Sequence, residues 1–443
     1  MKILLASQAI DGHFNPMTGI GVRLAEAGHE VAWYTGPVFN KKLRELGIRH
    51  FPFDRAIEHT AENLNELYPE RARLKGPAAI RFDGERIFAS NVSNFFEDIR
   101  DIHSTFPFDA VVMDSAMFVQ RLVSTILGKS VVSFVAVGNM ESDPLVPPLF
   151  FGFSPARTLP QKLLHAGARL VSEQLVLKPA RVSYVRQLEH YGLRTPKRGP
   201  ITDEPYRWSD AVIQTGTAAI DFPRRNVNPK VRYVGAVLPY RADTEAEAPS
   251  AELPRHYART VVVTQGTVDN KDHGKLIVPA IEALKDTDAL VVVATGGAGT
   301  QELRQRYPLP NILVEDFVDF DRTFASTDVF ITNGGFGGVL LSLSHGVPVI
   351  AAGINEGKSD VNARVEYAGV GINLRTESPS TEALAAAVQK VFSDPVWRAR
   401  AQAMRRQFEA EDSAGAALEI IENAVRAHGK KTTGTPSEAP KSP

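Results

Sequence analysis

Two side chains in the first third of the chain have the types and positions that acid–base chemistry requires. His13 lies in the segment Asp11–Pro16, and Asp114 directly follows the apolar run Ala110–Met113. An imidazole with a pKa near neutrality can take a proton from a hydroxyl group about 3 Å away. A carboxylate at the end of a neighbouring strand can hold that imidazole in the reactive tautomer. The same residues could instead be a surface or capping histidine and a helix N-cap.

A glycine-rich segment in the second half of the chain has the pattern of a phosphate site. Thr332–Gly338 reads TNGGFGG and stands between the apolar run Val329–Ile331 and a helix-like stretch. Free backbone amides at the start of a helix attract a diphosphate, and glycines let it approach closely. Gln265–Thr267 ends another apolar run and is expected at the same sheet edge, where the hydroxyl of Thr267 could hold a phosphate. Both segments could also be ordinary turns.

Motifs of several other enzyme classes are missing. The first predicted strand is followed by DGHFNP rather than GxGxxG, and neither GxxxxGK[ST] nor HExxH occurs. This argues against a dinucleotide dehydrogenase, a P-loop NTPase and a zincin-type metal site. There is no cysteine, which excludes disulfides and Cys-ligated zinc, and 50 basic against 51 acidic residues give no overall field that attracts nucleic acid. We predict neither a metal site nor a nucleic-acid partner.

Composition predicts a globular protein, because 43% of the residues are hydrophobic and 23% are charged. The N-terminal apolar run is too short for a signal peptide, and no window of about 18 apolar residues is free of charge. We therefore expect no membrane span and a cytoplasmic location. The sequence does not indicate an oligomeric state.

The elements that must position these residues follow an alternating pattern. Strand-like runs alternate with helix-period segments, which predicts an α/β fold with parallel sheets. We predict a domain at 1–240, an exposed acidic linker at 241–257, a second domain at 258–428 whose last helix packs back on the first, and a disordered tail at 429–443. The predicted strands are Ile3–Ala6, Val31–Tyr34, Ile48–Phe51, Ala110–Met113, Val131–Val135, Ala211–Gln214 and Tyr233–Val237, then Thr260–Val263, Leu290–Ala294, Ile312–Val314, Val329–Thr332, Val347–Ala351 and Gly371–Leu374.

From DGHFNP near the start to ARVEYAGVGINL near residue 374, the sequence resembles the family 1 glycosyltransferases, which include bacterial macrolide and plant natural-product glycosyltransferases. The resemblance implies two facing Rossmann-like domains, the GT-B architecture, with a cleft between them. His13 matches the family's general base, and Asp114 matches the acid that pairs with it. The family implies Gly12 beside the donor, and Phe14, Asn139 and Met140 beside the acceptor.

The resemblance also implies a donor site in the second domain. Its predicted residues are Gly266 and Thr267 at a phosphate, Phe317 and Val318 at the nucleotide base, Gly335, Gly337 and Gly338 at the diphosphate, and Thr295 close by. Three departures stand out. Asn333 replaces a family histidine, Gly338 and Leu341 replace a serine and a ribose-binding glutamate, and Glu356, Lys358 and Ser359 stand jointly where an acid–glutamine pair holds the sugar.

The resulting prediction is an inverting transferase that moves a sugar from a nucleotide diphosphate sugar to a small hydrophobic or phenolic acceptor. His13 is the predicted base, the acceptor is expected against the proline- and aromatic-rich segment Glu141–Pro200, and no cofactor is required. UDP-glucose is the default donor, and the departures make a dTDP-deoxysugar such as rhamnose its rival. The alternatives are a catalytically silent nucleotide-sugar-binding protein and a nucleotide-sugar 2-epimerase.

Overall fold

The computed structural model describes residues 1–60, 63–196, 199–241, 257–266, 270–355, 357–410 and 412–433. In that part of the chain, two parallel β-sheets are each flanked by helices. The strands are β1 Lys2–Ala6, β2 Glu30–Thr35, β3 Arg49–Pro52, β4 Ala110–Asp114, β5 Ser130–Val135, β6 Ala211–Gln214 and β7 Val231–Tyr233, then β8 Arg259–Thr264, β9 Ala289–Ala294, β10 Ile312–Glu315, β11 Val329–Thr332, β12 Val349–Ala351 and β13 Gly371–Asn373.

Both sheets have a point where the strand order reverses. The first has the order β3-β2-β1-β4-β5-β6-β7 and the second β10-β9-β8-β11-β12-β13. β1 pairs in parallel with β2 and with β4, and Ala6 lies opposite Met113 in the register with β4. Ligands of such sheets bind outside the carboxyl ends of the strands where the order reverses. In the first sheet that point places Asp114, the last residue of β4, at the crevice.

Helices cover both sheets. Those of the first half are α1 Asp11–Phe14, α2 Met17–Glu26, α3 Asn40–Glu45, α4 Leu64–Leu67, α5 Pro77–Asp83, α6 Val92–Thr105, α7 Gln120–Leu122, α8 Leu159–Val171, α9 Lys178–His190 and α10 Glu204–Trp208. Those of the second half are α11 Ile277–Leu284, α12 Thr300–Arg306, α13 Phe320–Phe324, α14 Phe336–Ser344, α15 Lys358–Tyr367, α16 Thr381–Ser393, α17 Val396–Glu409 and α18 Ser413–Thr433. Short 3₁₀ turns are Pro37–Phe39, Arg71–Arg73, Ser115–Met117 and Ile201–Asp203, and π-helical turns are Gly84–Ala89, Val123–Leu127 and Ser172–Val176.

The predicted α/β class is confirmed, and all predicted strands but one agree with the observed bounds to within two residues. The strand expected at Tyr233–Val237 lies earlier, at Val231–Tyr233. Gly216 and Gly235, both with positive φ, form an isolated antiparallel bridge that turns the chain out of the parallel sheet. α18 continues to Thr433, so residues 429–433 of the predicted tail are helical. Most of the predicted linker, 242–256, and the residues after 433 lie outside the described residues.

The last helix, α18, returns to the first sheet. Its residues Ala417, Ile421 and Ala424 are buried in the same apolar cluster as Ile3 and Leu5 of β1. Polar contacts flank this cluster, such as Nε2 of His29, which lies 3.2 Å from Oε1 of Glu422. The chain therefore crosses between the two halves twice. Within the described part of the chain, none of the helices combines the length and apolarity needed to cross a membrane.

Candidate active site

His13 is held in place by its neighbour Phe14. The two residues end the one-turn helix α1, and their backbone amides donate to the carbonyl of Ile10 at 2.9 and 3.0 Å. The ring of Phe14 is fully buried, stacked on Phe39 at 3.8 Å between centroids and packed against Trp33 at 4.6 Å. The prediction that Phe14 contacts the acceptor is therefore wrong. Successive helical side chains point about 100° apart, so burying Phe14 turns His13 towards the cleft.

His13 and Asp114 meet at the carboxyl edge of the first sheet. Nδ1 of His13 lies 2.8 Å from Oδ2 of Asp114, and 19% of the histidine side chain is exposed while the aspartate is fully buried. The other carboxylate oxygen, Oδ1, accepts a hydrogen bond from the amide of Ala116 at 3.0 Å. Asp114 thus caps the following 3₁₀ turn and also orients the imidazole. The Nδ1–H bond of His13 does not point along the 2.8 Å line to Oδ2 of Asp114, so the contact lacks the geometry of a full hydrogen bond. Catalytic hydrogen bonds commonly become better aligned when the substrate binds.

The surroundings of His13 raise its pKa above the ordinary value of 6.5. Burial of the ring has the largest influence and lowers the pKa, but the charge of Asp114 and its polar contact together outweigh burial. The raised pKa makes the imidazole a stronger base, so it holds a captured proton more firmly. The pair therefore has the electrostatics that proton abstraction from a hydroxyl requires.

An aromatic ring that we did not predict lies beside His13. Phe88, from the π-helical turn Gly84–Ala89, has its ring centroid 6.5 Å from that of His13. Gly12 is exposed, and no atom lies within 4 Å of where its Cβ would be, so the surface is open at this residue. Phe88 was not predicted, because the short turn that carries it contains no recognisable motif.

Two other predicted acceptor residues have structural partners. Asn139 is buried, and its Oδ1 accepts from the amide of Glu141 at 2.9 Å. Its carbonyl accepts hydrogen bonds from Arg224 and Arg364, each at 2.9 Å. The amide of Met140 donates to the hydroxyl of Tyr206 at 3.0 Å, and the residue is half-buried. Asn139 is therefore a connection between the two halves of the chain rather than a free surface for a ligand.

The glycine loop leads from β11 into α14. Gly334 has a φ of 92°, and a Cβ there would collide with the amide of Asn362, so this glycine is required by close packing on α15. Gly335 precedes α14 as its N-cap, and Gly335 and Gly337 are exposed with open space in front of them. Gly338 is half-buried in the first turn of that helix. The loop thus presents free amides to solvent at a helix start, the arrangement that binds phosphates.

A second turn packs against this loop. Gly266 lies two residues after the end of β8 and has a φ of 78°; its missing Cβ would lie 3.6 Å from the side-chain amide of Asn333. Nδ2 of Asn333 donates to the carbonyl of Gln265. The structure therefore brings Gly266 and Asn333 together as predicted from their strand ends. Thr267 lies outside the described residues.

Phe317 and Thr295 flank the ends of β10 and β9. Phe317 has 71% of its surface exposed, and its ring lies 3.6 Å from where a Cβ of Gly297 would be. An exposed ring over a glycine is a suitable stacking surface for a planar base. Thr295 is fully buried, and its hydroxyl forms a hydrogen bond with the hydroxyl of Thr300 at 2.6 Å between the two oxygens. Its side chain therefore stabilises this loop rather than facing a ligand. Val318 packs partly against the core of the second domain.

The segment predicted to hold the sugar is the start of α15. Lys358 is its first residue and is half-buried, whereas Ser359 is buried with a hydroxyl that has no hydrogen-bond partner among the described residues. The side chain of Ser359 packs against Gly152 of the first half, where a Cβ would be only 3.0 Å away. Glu356, the third residue of this predicted set, lies outside the described residues.

α15 is also tied to the first half by contacts that we did not predict. The carboxylate of Asp360 accepts the amides of Phe150 and Gly152 at 2.6 and 3.0 Å. Nε of the buried Arg364 lies 2.9 Å from Oδ1 of the buried Asp221. The first two turns of α15 therefore carry both the predicted sugar segment and the anchors to the other half of the molecule.

Comparisons with known proteins agree with this architecture. Residues 278–424 match the family described as erythromycin biosynthesis protein CIII-like, C-terminal domain. The chain is 31% identical over 427 residues to the 4'-demethylrebeccamycin synthase of Lentzea aerocolonigenes, with 96% of this chain and 99% of that protein covered. It is 26% identical over 435 residues to UDP-glycosyltransferase 2 of Phaeomoniella chlamydospora, with 93% of each chain covered.

A solved structure shows the same fold over almost the whole chain. The glycosyltransferase VinC in complex with dTDP superposes with a TM-score of 0.67 and 16% identity, covering 96% of this chain and all of that one. The two parallel-sheet halves are thus the two Rossmann-like domains of the GT-B architecture. The full-length relative above 30% identity establishes the family, and the chain belongs to the family 1, UDP-glycosyltransferase-like glycosyltransferases and is a glycosyltransferase of the natural-product type.

Proposed function

We propose that the protein transfers a sugar, with inversion, from a nucleotide diphosphate sugar to a hydroxyl group of a small hydrophobic or phenolic acceptor. The observation that carries this proposal is the 2.8 Å contact between His13 and a fully buried Asp114 at the edge of the cleft. Asp114 engages Nδ1, which leaves Nε2 as the nitrogen available to an acceptor. An imidazole that is oriented by a carboxylate at Nδ1 and has Nε2 free is the arrangement of a general base.

In the proposed step, Nε2 of His13 takes the proton of the acceptor hydroxyl as its oxygen attacks the anomeric carbon. The bond from that carbon to the diphosphate oxygen breaks, so both electrons and the negative charge leave with the nucleoside diphosphate. The exposed amides at Gly335 and Gly337 and the dipole of α14 stabilise that charge. Because the attack comes from the face opposite the leaving group, one displacement inverts the anomeric configuration.

UDP-glucose is the first donor that we propose, and the relative from Phaeomoniella chlamydospora carries a UDP-glycosyltransferase name. One observation supports a dTDP-deoxysugar as the second candidate. Leu341, at the position where the family has a ribose-binding glutamate, packs against the apolar core and offers no acceptor for a ribose 2′-hydroxyl. The nucleotide of dTDP lacks that hydroxyl, and VinC was solved with dTDP. Phe88 beside His13 supports an acceptor with an apolar or aromatic body.

The test is mass-spectrometric detection of glycosylated product from a panel of UDP- and dTDP-sugars with phenolic and polyketide alcohols. We expect product from one nucleotide class, with the opposite anomeric configuration to the donor by NMR. Retained configuration would contradict the single displacement. Release of free epimerised sugar, or donor binding without any product in the whole panel, would contradict the proposed transfer and favour an epimerase or a silent binding protein.

A further inference from the structure

Helix α8 presents its apolar side to solvent. Leu159, Leu163 and Leu170 are 70%, 66% and 63% exposed, although leucines of an amphipathic helix normally face the core. The outward apolar side chains, called here the leucine face, are Leu159, Leu163, Leu164, Leu170, Val171 and, in the following π-helical turn, Leu175. They recur at spacings of four and seven residues, so they form one stripe rather than scattered positions.

The opposite side of α8 is polar and fixed to the domain. Nη2 of Arg169 donates to the carbonyls of Val146 and Asp143 at 2.6 and 3.3 Å. The ring of His165 stacks on Phe153 with 5.0 Å between centroids. A capping box at Thr158 also fixes where the helix begins. The helix is therefore held by its polar side, and the leucine face is left without a covering element among the described residues.

A basic cavity adjoins the leucine face. It has a volume of about 790 Å³ and is lined by Leu175 together with the exposed cations Arg81, Lys178 and Arg186. None of these three cations forms an ion pair with another residue of the described part of the chain, and Glu85 is the one acid among the residues that line the cavity. Because the whole chain carries a net charge of −1, this positive charge is a local feature.

We propose that the leucine face and the basic cavity together dock the protein onto the surface of an anionic lipid bilayer. Apolar side chains beside a cluster of cations are the features of helices that lie in the membrane interface. α8 has 13 residues and is therefore about 20 Å long at 1.5 Å per residue. This is shorter than the hydrocarbon core of a bilayer, which is about 30 Å thick, so the helix would lie in the membrane surface rather than cross it. A symmetric pair of chains joined through the same surface would bring the unpaired cations of both copies together, which disfavours a second copy as the occupant. The proposal does not depend on the transfer reaction.

The test is co-sedimentation with vesicles of phosphatidylcholine, with and without phosphatidylglycerol, at low salt. We expect the full chain to bind the anionic vesicles and to bind the neutral ones far more weakly. The double variant L163Q/L170Q should bind about tenfold more weakly, since both leucines insert on docking. K178Q and R186Q should each lower the affinity for anionic vesicles about fivefold. Added salt should remove the same electrostatic contribution from the unmodified chain.

The matched controls are exposed residues that belong neither to the leucine face nor to the lining of the basic cavity. V227Q removes an apolar side chain that is 77% exposed, and K41Q removes an exposed lysine, so both should bind like the unmodified chain. Equal circular dichroism and melting temperatures would show that all variants fold. The proposal is overturned if no vesicle binding occurs or if L163Q/L170Q binds normally. It is also overturned if that variant instead abolishes a dimer in solution, or raises the acceptor KM without changing vesicle binding.

Discussion

The two sides of the cleft are built in different ways. On the first side, His13 and Asp114 come from α1 and β4 of one domain, and packing within that domain holds both. On the second side, the start of α15 is held by contacts that cross between domains, made by Asp360 and Arg364. The His13–Asp114 pair is therefore complete within one domain, whereas the predicted sugar segment also depends on contacts between the two domains.

This difference separates the chemistry from donor positioning. In the proposed reaction, a change at His13 should affect the chemical step and leave donor affinity nearly unchanged, because the proposed donor loop belongs to the other domain. A change at Arg364 should affect stability and the donor KM first, because it loosens the helix that carries Lys358 and Ser359. The predictions below test whether the two sides can be separated in this way.

The largest effect is expected from His13→Ala. Loss of the general base should lower kcat by about 10²–10⁴-fold while donor binding stays close to normal. Single-turnover rates and calorimetric titration of the nucleotide measure the two quantities separately. His190→Ala on α9, an exposed histidine, is the control and should leave both unchanged. Equal turnover of His13→Ala and the unmodified protein would remove His13 from the role of base.

Next in size is the effect of Arg364→Met on stability. Its guanidinium lies 2.9 Å from Asp221, and both side chains are almost fully buried, so removal of the cation leaves a buried carboxylate without its cationic partner. Such a change costs about 3–5 kcal/mol of unfolding free energy. The control is Arg375→Met, which breaks an exposed pair with Glu366 and should cost about 1 kcal/mol or less.

Denaturant unfolding of both arginine variants measures these costs, and the donor KM should rise only for Arg364→Met. The double variant D221N/R364M should recover part of the stability, since the uncompensated charge is gone. Equal losses for Arg364→Met and Arg375→Met would show that the contact between domains contributes no more than a surface ion pair.

A smaller effect on rate, with a clear pH signature, is expected from Asp114→Asn. Asparagine keeps an oxygen that can cap Ala116 but loses the charge that raises the pKa of His13. We expect kcat/KM to fall by about 10²-fold, the lower end of the range for a general base, because the imidazole stays in place but loses its fixed orientation. In the unmodified protein, kcat/KM should fall as the pH drops through a His13 pKa above 6.5.

In Asp114→Asn, burial still lowers the pKa of His13, and the opposing charge is absent. The inflection of the kcat/KM profile should therefore move to lower pH, while the plateau at high pH stays reduced. Measurement of kcat/KM from pH about 5 to 9 with both proteins tests this shift. An unchanged inflection would show that the titrating group in the profile is not His13 paired with Asp114.

The sequence was sufficient for features that lie at strand ends. Asp114 ends a run of four apolar residues, and Asn333 and Gly266 end two more, so parallel pairing alone brings them to sheet edges. The family resemblance then implied that Asp114 is the partner of His13. Phe14 was misassigned because the motif supplies a residue type but not the direction in which each side chain of a one-turn helix points.

Contacts between domains were not predictable in the same way. Arg364 stands in a helix whose sequence shows no marked amphipathic pattern, and its partner Asp221 is 143 positions away. Nothing in local spacing connects them, because the pairing depends on how two independently folded sheets dock. The exposed leucines of α8 were likewise unexpected, since a helical apolar pattern normally predicts a buried face.

The smallest effect is expected from Phe317→Ala on donor affinity. Phe317 is 71% exposed and lies over Gly297, just beyond the end of β10 in the second domain, so its removal should leave the fold and the His13–Asp114 pair intact. If the nucleotide base stacks on this ring, its loss should weaken nucleotide binding about tenfold, or about 1.4 kcal/mol. Phe317→Tyr keeps a ring and should bind normally. Equal nucleotide affinity of the alanine and tyrosine variants would show that the base binds elsewhere. A lower kcat of Phe317→Ala at saturating donor would show that the two sides of the cleft are not separable.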